Sequence, residues 1–130
     1  MDVPAPTALD HEHPVDPARV AAARAALVSD SEARRLAALL GLVADPVRSR
    51  ILLALGGVHS LCVGDLALAL GVSEDAVSYG LKLLRTAHLV AYRKEGRVVF
   101  YRLADGFPHQ LVEHCLRQLL SIGADGEPPS

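Results

Sequence analysis

The 130-residue sequence predicts a mainly α fold with one small β-hairpin, arranged as a winged helix-turn-helix. Three observations carry that expectation. A short apolar helix over Val63–Leu70 stops at Gly71 and a second opens at Ser73, the punctuation of a helix-turn-helix pair. Directly after that pair, two runs with β-branched and aromatic residues flank Glu95-Gly96, which signals a two-stranded hairpin. Charge singles out the same place. Over residues 79–102, Lys82, Arg85, Arg93, Lys94, Arg97 and Arg102 stand against Glu95 alone, net +5 in a chain whose total is −2.

Composition sets the outer bounds. A chain of this length can bury one real core but not two. Hydrophobic residues make up 51% of the chain, aromatics only 4%, and tryptophan is absent, so the core must come from Leu, Val and Ala. No apolar run reaches the roughly 18 residues of a membrane span. The start, MDVPAPTALDHEHPVD, has neither the basic end nor the apolar stretch of a secretory signal. Cys62 and Cys115 make no disulfide framework, so a reduced, cytoplasmic protein is expected.

Element by element, residues 1–15 read as a flexible arm, interrupted by Pro4, Pro6 and Pro14. The folded domain is expected over 16–122 and a disordered tail over 123–130. Asp16-Pro17 supplies a cap and a first-turn proline for a helix through PARVAAARAALV, with Val20, Ala23 and Leu27 at helical spacing. Ser29 or Asp30 caps the next helix, whose Leu36, Leu39, Leu40 and Val43 form a stripe. Asp45-Pro46 repeats the signal before VRSRILLALGG, closed by a glycine pair. The helix-turn-helix then occupies about 62–87, with Val63, Leu66 and Leu70 facing the core, and the wing about 89–103. A last helix over PHQLVEHCLRQLLSI carries Leu111, Cys115, Leu119 and Ile122 on one face.

A localised basic segment in an otherwise acidic chain is the footprint of a phosphate-binding face. In a helix-turn-helix the second helix places its N-terminal residues in the major groove of duplex DNA. Here those are Ser73, Asp75, Ala76, Ser78 and Tyr79, with Lys82 a turn further on. Hydroxyls suit phosphates or base edges, Ala76 a thymine methyl, and Lys82 a phosphate. Arg93, Lys94 and Arg97 of the wing would lie against the flanking backbone.

The stretches ADPVRSRIL (44–52), LCVGDLALALGVSEDAVSYGLKLLR (61–85) and LVAYRKEGRVVFYRLAD (89–105) resemble the ArsR/SmtB family of metal-sensing winged-helix repressors. With the flanking helices the likeness covers about residues 17–121. It implies a homodimer held by the first and last helices and bound to a palindromic operator. One departure stands out. After AVS the family usually has His followed by His or Gln, whereas this chain has Tyr79-Gly80. A glycine there costs roughly 1 kcal/mol of helix stability and either admits a close approach to DNA or loosens the helix.

The resemblance also implies two places for a metal. The first uses an Asp-x-His pair and a later His-x-x-Glu or His-x-x-His on the C-terminal helices. Asp105 matches, but Phe107, Gln118 and Ser121 break the set, leaving His109, Glu113, His114 and Cys115 as other donors nearby. The second pairs a cysteine and an acid three residues later with donors from the N-terminal arm of the other subunit. Cys62 and Asp65 match it, sharing a helix face, and the arm offers Asp10, His11, Glu12 and His13. Cys62, His11, His13 and Asp65 would make a mixed S, N, N, O set suited to Zn²⁺, with Ni²⁺ or Co²⁺ as alternatives. Metal would then tie the arm to the partner's helix-turn-helix and weaken the operator complex. A hundredfold effect needs a coupling of about 2.7 kcal/mol.

Other readings stay open on the sequence alone. The same fold could be a repressor without a metal site, governed by thiol oxidation at Cys62 or by another ligand. It could be a dimeric interaction module that no longer binds DNA, as Gly80 and the acidic total suggest. A zinc hydrolase built on the His pair and Glu12 fits poorly, because HEH sits in a proline-flanked arm without a preorganised base. The protein is therefore expected not to be an enzyme.

Overall fold

The structure is a computed structural model that describes residues 12–126. It divides into two units, Met1–Leu36 and Ala37–Ser130. The described part of the first holds α1 (Pro17–Ala25) and the opening of α2 (Asp30–Val43). Asp16 caps α1 by accepting from the Arg19 amide at 3.1 Å, with Pro17 in the first turn. The helix ends at Ala25, so Leu27 lies beyond it rather than on its face. Ser29 caps α2 reciprocally: its Oγ accepts from the Glu32 amide and Glu32 Oε1 accepts from the Ser29 amide, both at 3.1 Å. This is a capping box. No residue of α1 or α2 is buried.

The second unit holds the core. Asp45 caps α3 (Pro46–Gly57) through the Arg48 amide at 2.9 Å. After α3 the chain forms β1 (Leu61–Cys62), α4 (Val63–Leu70), α5 (Glu74–Thr86), β2 (Val90–Glu95) and β3 (Val98–Leu103). Gly71, at φ +71°, ends α4, and Ser73 Oγ caps α5 through the Ala76 amide at 3.1 Å. Ile51, Leu52 and Leu55 of α3 pack with Leu66, Ala67 and Leu70 of α4 and with Val77, Leu81 and Leu84 of α5. Val90, Leu103, Phe107 and Val112 close that core. Val63, expected with Leu66 and Leu70, is only half-buried.

The hairpin forms as expected, with Glu95 opposite Val98 and Gly96 at φ +61° in the turn. The sheet has a third strand that the sequence did not announce. β1 pairs antiparallel with β3, Leu61 opposite Tyr101 and Cys62 opposite Phe100, giving the order β1-β3-β2. Two residues are too short to show any alternation.

The C-terminal segment also departs from its expected register. It begins with a π-helical turn over Leu111–Cys115 and continues as α6 (Leu116–Gly126), past the expected end at residue 122. The wide turn brings Val112 into the core and leaves Cys115 exposed, reversing the expectation that Cys115 lies on the buried face. Leu119 and Ile122 are exposed as well. Val112 meets α3 at Gly56, where a Cβ would lie 2.6 Å from Val112 Cγ2, so this seam closes only around a glycine.

Candidate nucleic-acid interface

Helix α5 separates its residues cleanly. Val77, Gly80, Leu81 and Leu84 are buried, while Ser73, Glu74, Asp75, Ser78, Tyr79, Lys82, Arg85 and Thr86 are exposed. Tyr79 is 63% exposed, so its ring is not a core element. Ala76 is half-buried beside the cap. The exposed side runs from a carboxylate first turn, through Ser78 and Tyr79, to Lys82 and Arg85. A helix needs one polar face to be presented to a partner, and here it carries hydrogen-bonding groups first and cations later.

Gly80 has a different role from either one foreseen. It is buried against α3, and a Cβ there would lie 3.0 Å from Ile51 Cδ1 and 3.4 Å from Arg48 Cγ. The close approach it permits is to α3, not to DNA.

In the wing, Arg93 Nη2 pairs with Glu95 at 3.0 Å, and its guanidinium lies 5.1 Å from the Phe100 ring centre. Lys94 and Arg97 are exposed, with no carboxylate partner among the described residues. Arg85, at the far end of α5, stacks on the wing: its Cζ sits 4.6 Å from the centre of the Tyr92 ring, and Tyr92 lies 6.0 Å from Tyr101. The sequence reading assigned none of these three to the interface. Their meeting depends on the Tyr92–Tyr101 register of β2 and β3, which no local pattern reveals.

The metal candidates are less assembled. Cys62 is half-buried with a free thiol. It is the N-cap of α4, in extended conformation and without a side-chain cap bond, and Asp65 is an exposed residue of the first turn. The pair therefore has the cap-and-third-residue spacing, and Cys62 does not share a helix face with Asp65 as expected. His13 is exposed in the N-terminal unit, and His11 and Asp10 lie outside the described residues. Among the described residues no group of three His, Cys, Asp or Glu side chains could hold a metal ion.

The other set fares similarly. Asp105 Oδ1 accepts from Arg102 Nη1 at 2.9 Å, so that carboxylate already has a cation. His109 stands edge-on to Phe107 with ring centres 6.5 Å apart. Glu113 and His114 are exposed on the π-helical turn, which does not keep the α-helical spacing expected to stack His109 on Glu113. Phe107, 7% exposed, is a core residue.

A capped helix-turn-helix, a basic antiparallel wing and a polar recognition face define the class of winged-helix regulators. Residues 45–92 match the family profile described as bacterial regulatory protein, arsR family. The transcriptional repressor SmtB homolog of Synechocystis is 47% identical over 79 residues, covering 61% of this chain and 59% of that protein. The regulator CmtR of Mycobacterium tuberculosis is 38% identical over 91 residues, 69% of this chain and 75% of its own. Among solved structures, HlyU from Vibrio cholerae aligns with TM-score 0.62 at 32% identity, covering 69% of this chain and 97% of that one. The antimony-specific repressor AntR aligns with TM-score 0.64 at 31% identity, covering 78% and 89%. The chain belongs to the arsR family of bacterial regulatory proteins.

Proposed function

We propose that this chain is a cytoplasmic transcriptional repressor that binds duplex operator DNA as a homodimer, with binding weakened by a divalent metal ion, zinc foremost. The observation that carries the DNA reading is the concentration of unpaired cations, Lys82, Arg85, Lys94 and Arg97, on the exposed face formed by α5 and the wing. Ser73, Asp75, Ala76, Ser78 and Tyr79 would read the major groove, and Arg93, Lys94 and Arg97 would follow the backbone. A second copy is the natural cover for α6, where Leu119, Leu120 and Ile122 are 61–68% exposed. Beside them Leu53, Leu116 and Ala124 line a cavity of about 570 Å³. Contiguous apolar surface of that kind marks an interaction site.

Cys62, Asp65, His11 and His13 would hold the metal, which supplies a cross-link between donors from separate segments. What favours Cys62 is chemistry: its free thiol is half-buried and makes no cap bond. Its donors are harder than an all-thiolate set, which places Zn²⁺, Ni²⁺ or Co²⁺ ahead of softer ions. Relatives carry names tied to cadmium and arsenical resistance, which supports metal sensing in general and leaves the ion to experiment. Thiolate and imidazole donors must lose protons to bind, so the response weakens as pH falls. The weaker second set, Asp105, His109, Glu113 and His114, would take the role only if Arg102 released Asp105.

Fluorescence anisotropy with a promoter fragment from the chain's own locus, titrated with Zn²⁺, Ni²⁺ and Co²⁺, tests both parts. No binding at low salt would end the repressor reading. An unchanged metal response in Cys62→Ser would end the site proposed for the ion. A second reading, control by thiol oxidation, draws on the exposed thiol of Cys115. A loss of DNA binding under oxidant that Cys115→Ser prevents, with no metal response, would favour it instead.

A further inference from the structure

We propose that the recess between α5 and the wing is a pocket for one DNA backbone phosphate, with Arg85 as its principal ligand and Tyr92 as the residue that positions Arg85. The proposal rests on the DNA reading above and adds to it a residue and a contact that reading does not contain. The recess has a volume of about 310 Å³ and is lined by Ser78, Leu81, Lys82, Arg85, Thr86 and Tyr101. Its chemistry is one-sided: two cations and three hydroxyls, with no carboxylate among the lining residues. The acids of α5, Glu74 and Asp75, sit in the first turn. Ten residues separate Asp75 from Arg85, about 15 Å along the helix axis at 1.5 Å per residue.

The cations here differ from their neighbours in the basic segment. Arg93 is paired with Glu95 and Arg102 with Asp105, so their charge is largely spent. Lys82 and Arg85 have no carboxylate partner among the described residues. Arg85 is held instead by the face of Tyr92 at 4.6 Å. A cation on an aromatic face is fixed in place without being neutralised. Its N–H edge stays available for the paired hydrogen bonds a planar guanidinium makes to phosphate oxygens.

The hydroxyls sort themselves. Thr86 Oγ1 donates its proton to the Lys82 carbonyl at 2.9 Å and so serves as wall. Ser78 and Tyr101 have hydroxyl protons to give. Position along the helix decides between base and phosphate. Base edges are read by the first turns of a recognition helix, whereas this recess flanks its last turns, beside the wing.

The test compares full-length variants on a locus-derived promoter fragment and on a random-sequence duplex, across a salt series. Arg85→Ala is expected to weaken both complexes by the same factor, about tenfold, and to lower the log–log salt slope by about 0.9. Arg85→Lys keeps the slope but loses several-fold in affinity, because an ammonium lacks the fork. Tyr92→Leu weakens binding at unchanged slope, since the charge remains but is no longer held, while Tyr92→Phe behaves as wild type. Matching thermal midpoints for Arg85→Lys and Tyr92→Phe guard against misfolding as the cause.

An unaltered slope in Arg85→Ala, or a loss confined to the promoter fragment, would overturn the pocket. If the wild type bound neither duplex, the DNA reading itself would fall. The Arg85 Nε–H resonance would then decide the pocket with millimolar inorganic phosphate: a saturable shift supports an anion site there, and no shift overturns it.

Discussion

The helix-turn-helix core and the C-terminal helix are made of the same residues, chiefly leucine, yet they end in opposite states. Ile51, Leu52, Leu66, Val77, Leu81 and Leu84 are no more than 1% exposed, while Leu119, Leu120 and Ile122 on α6 are 61–68% exposed. The first region completes its own packing from three helices and a sheet. The second leaves its apolar side to be finished by another molecule. Leucine content alone therefore tells nothing about where a monomer ends; the periodicity in both regions is helical, and only the supply of facing surface differs.

Substitutions can break that contrast at several strengths. The largest effect is expected for Leu84→Ala in the finished core, a loss of about 2–5 kcal/mol of unfolding free energy from transfer and cavity terms, measured by urea denaturation. Next comes the seam between the regions. Gly56→Ala would drive a Cβ to within 2.6 Å of Val112 Cγ2 and is expected to cost about 1–3 kcal/mol, less up to about 1 kcal/mol regained in helix propensity. A stabilised Gly56→Ala chain would show that the π-helical turn gives way freely.

On the unfinished side the expected readout changes in kind. Leu119→Glu should shift the stability of the isolated chain by no more than about 0.5 kcal/mol, while abolishing self-association in sedimentation across a concentration series. Association that survives this change would place the subunit contact elsewhere. The smallest effect lies at the start of α2. Hydrogen bonds from the Ser29 backbone and hydroxyl hold the Glu32 carboxyl below its ordinary value of 4.5. A depressed acid contributes stability that is present above that ordinary value and is lost as pH falls through the lower one. Carboxyl NMR titration should therefore show Glu32 moving back up in Ser29→Ala, with the first turn of α2 fraying only in acid.

How far the sequence alone reached follows the same division. The caps at Asp16, Asp45 and Ser73, the Gly71 stop and the Gly96 turn are local chemistry, and each stands where the residues say. What escaped depends on distant partners. β1 exists only because Leu61 and Cys62 find β3. The π-helical turn follows from the close fit of Val112 on Gly56, sites 56 residues apart. Arg85 read as one more cation until the hairpin register set Tyr92 beneath it. The metal candidates were legible as residue types, through Cys62 and Asp65, but a ligand set is a statement about several segments at once. One of its histidines, His11, lies outside the described residues.

Gly80 carries a mechanical consequence. With Ile51 and Arg48 closed over the position where a side chain would begin, the recognition helix has no slack to roll on α3. It behaves as a stiff tooth on a rigid wheel. A bound effector has no means of loosening the tooth alone and must instead change the distance between the two teeth of a dimer. The quantity that such a protein regulates is then a length, the spacing it accepts between operator half-sites, and an operator with half-sites moved by one base pair should mimic the effector.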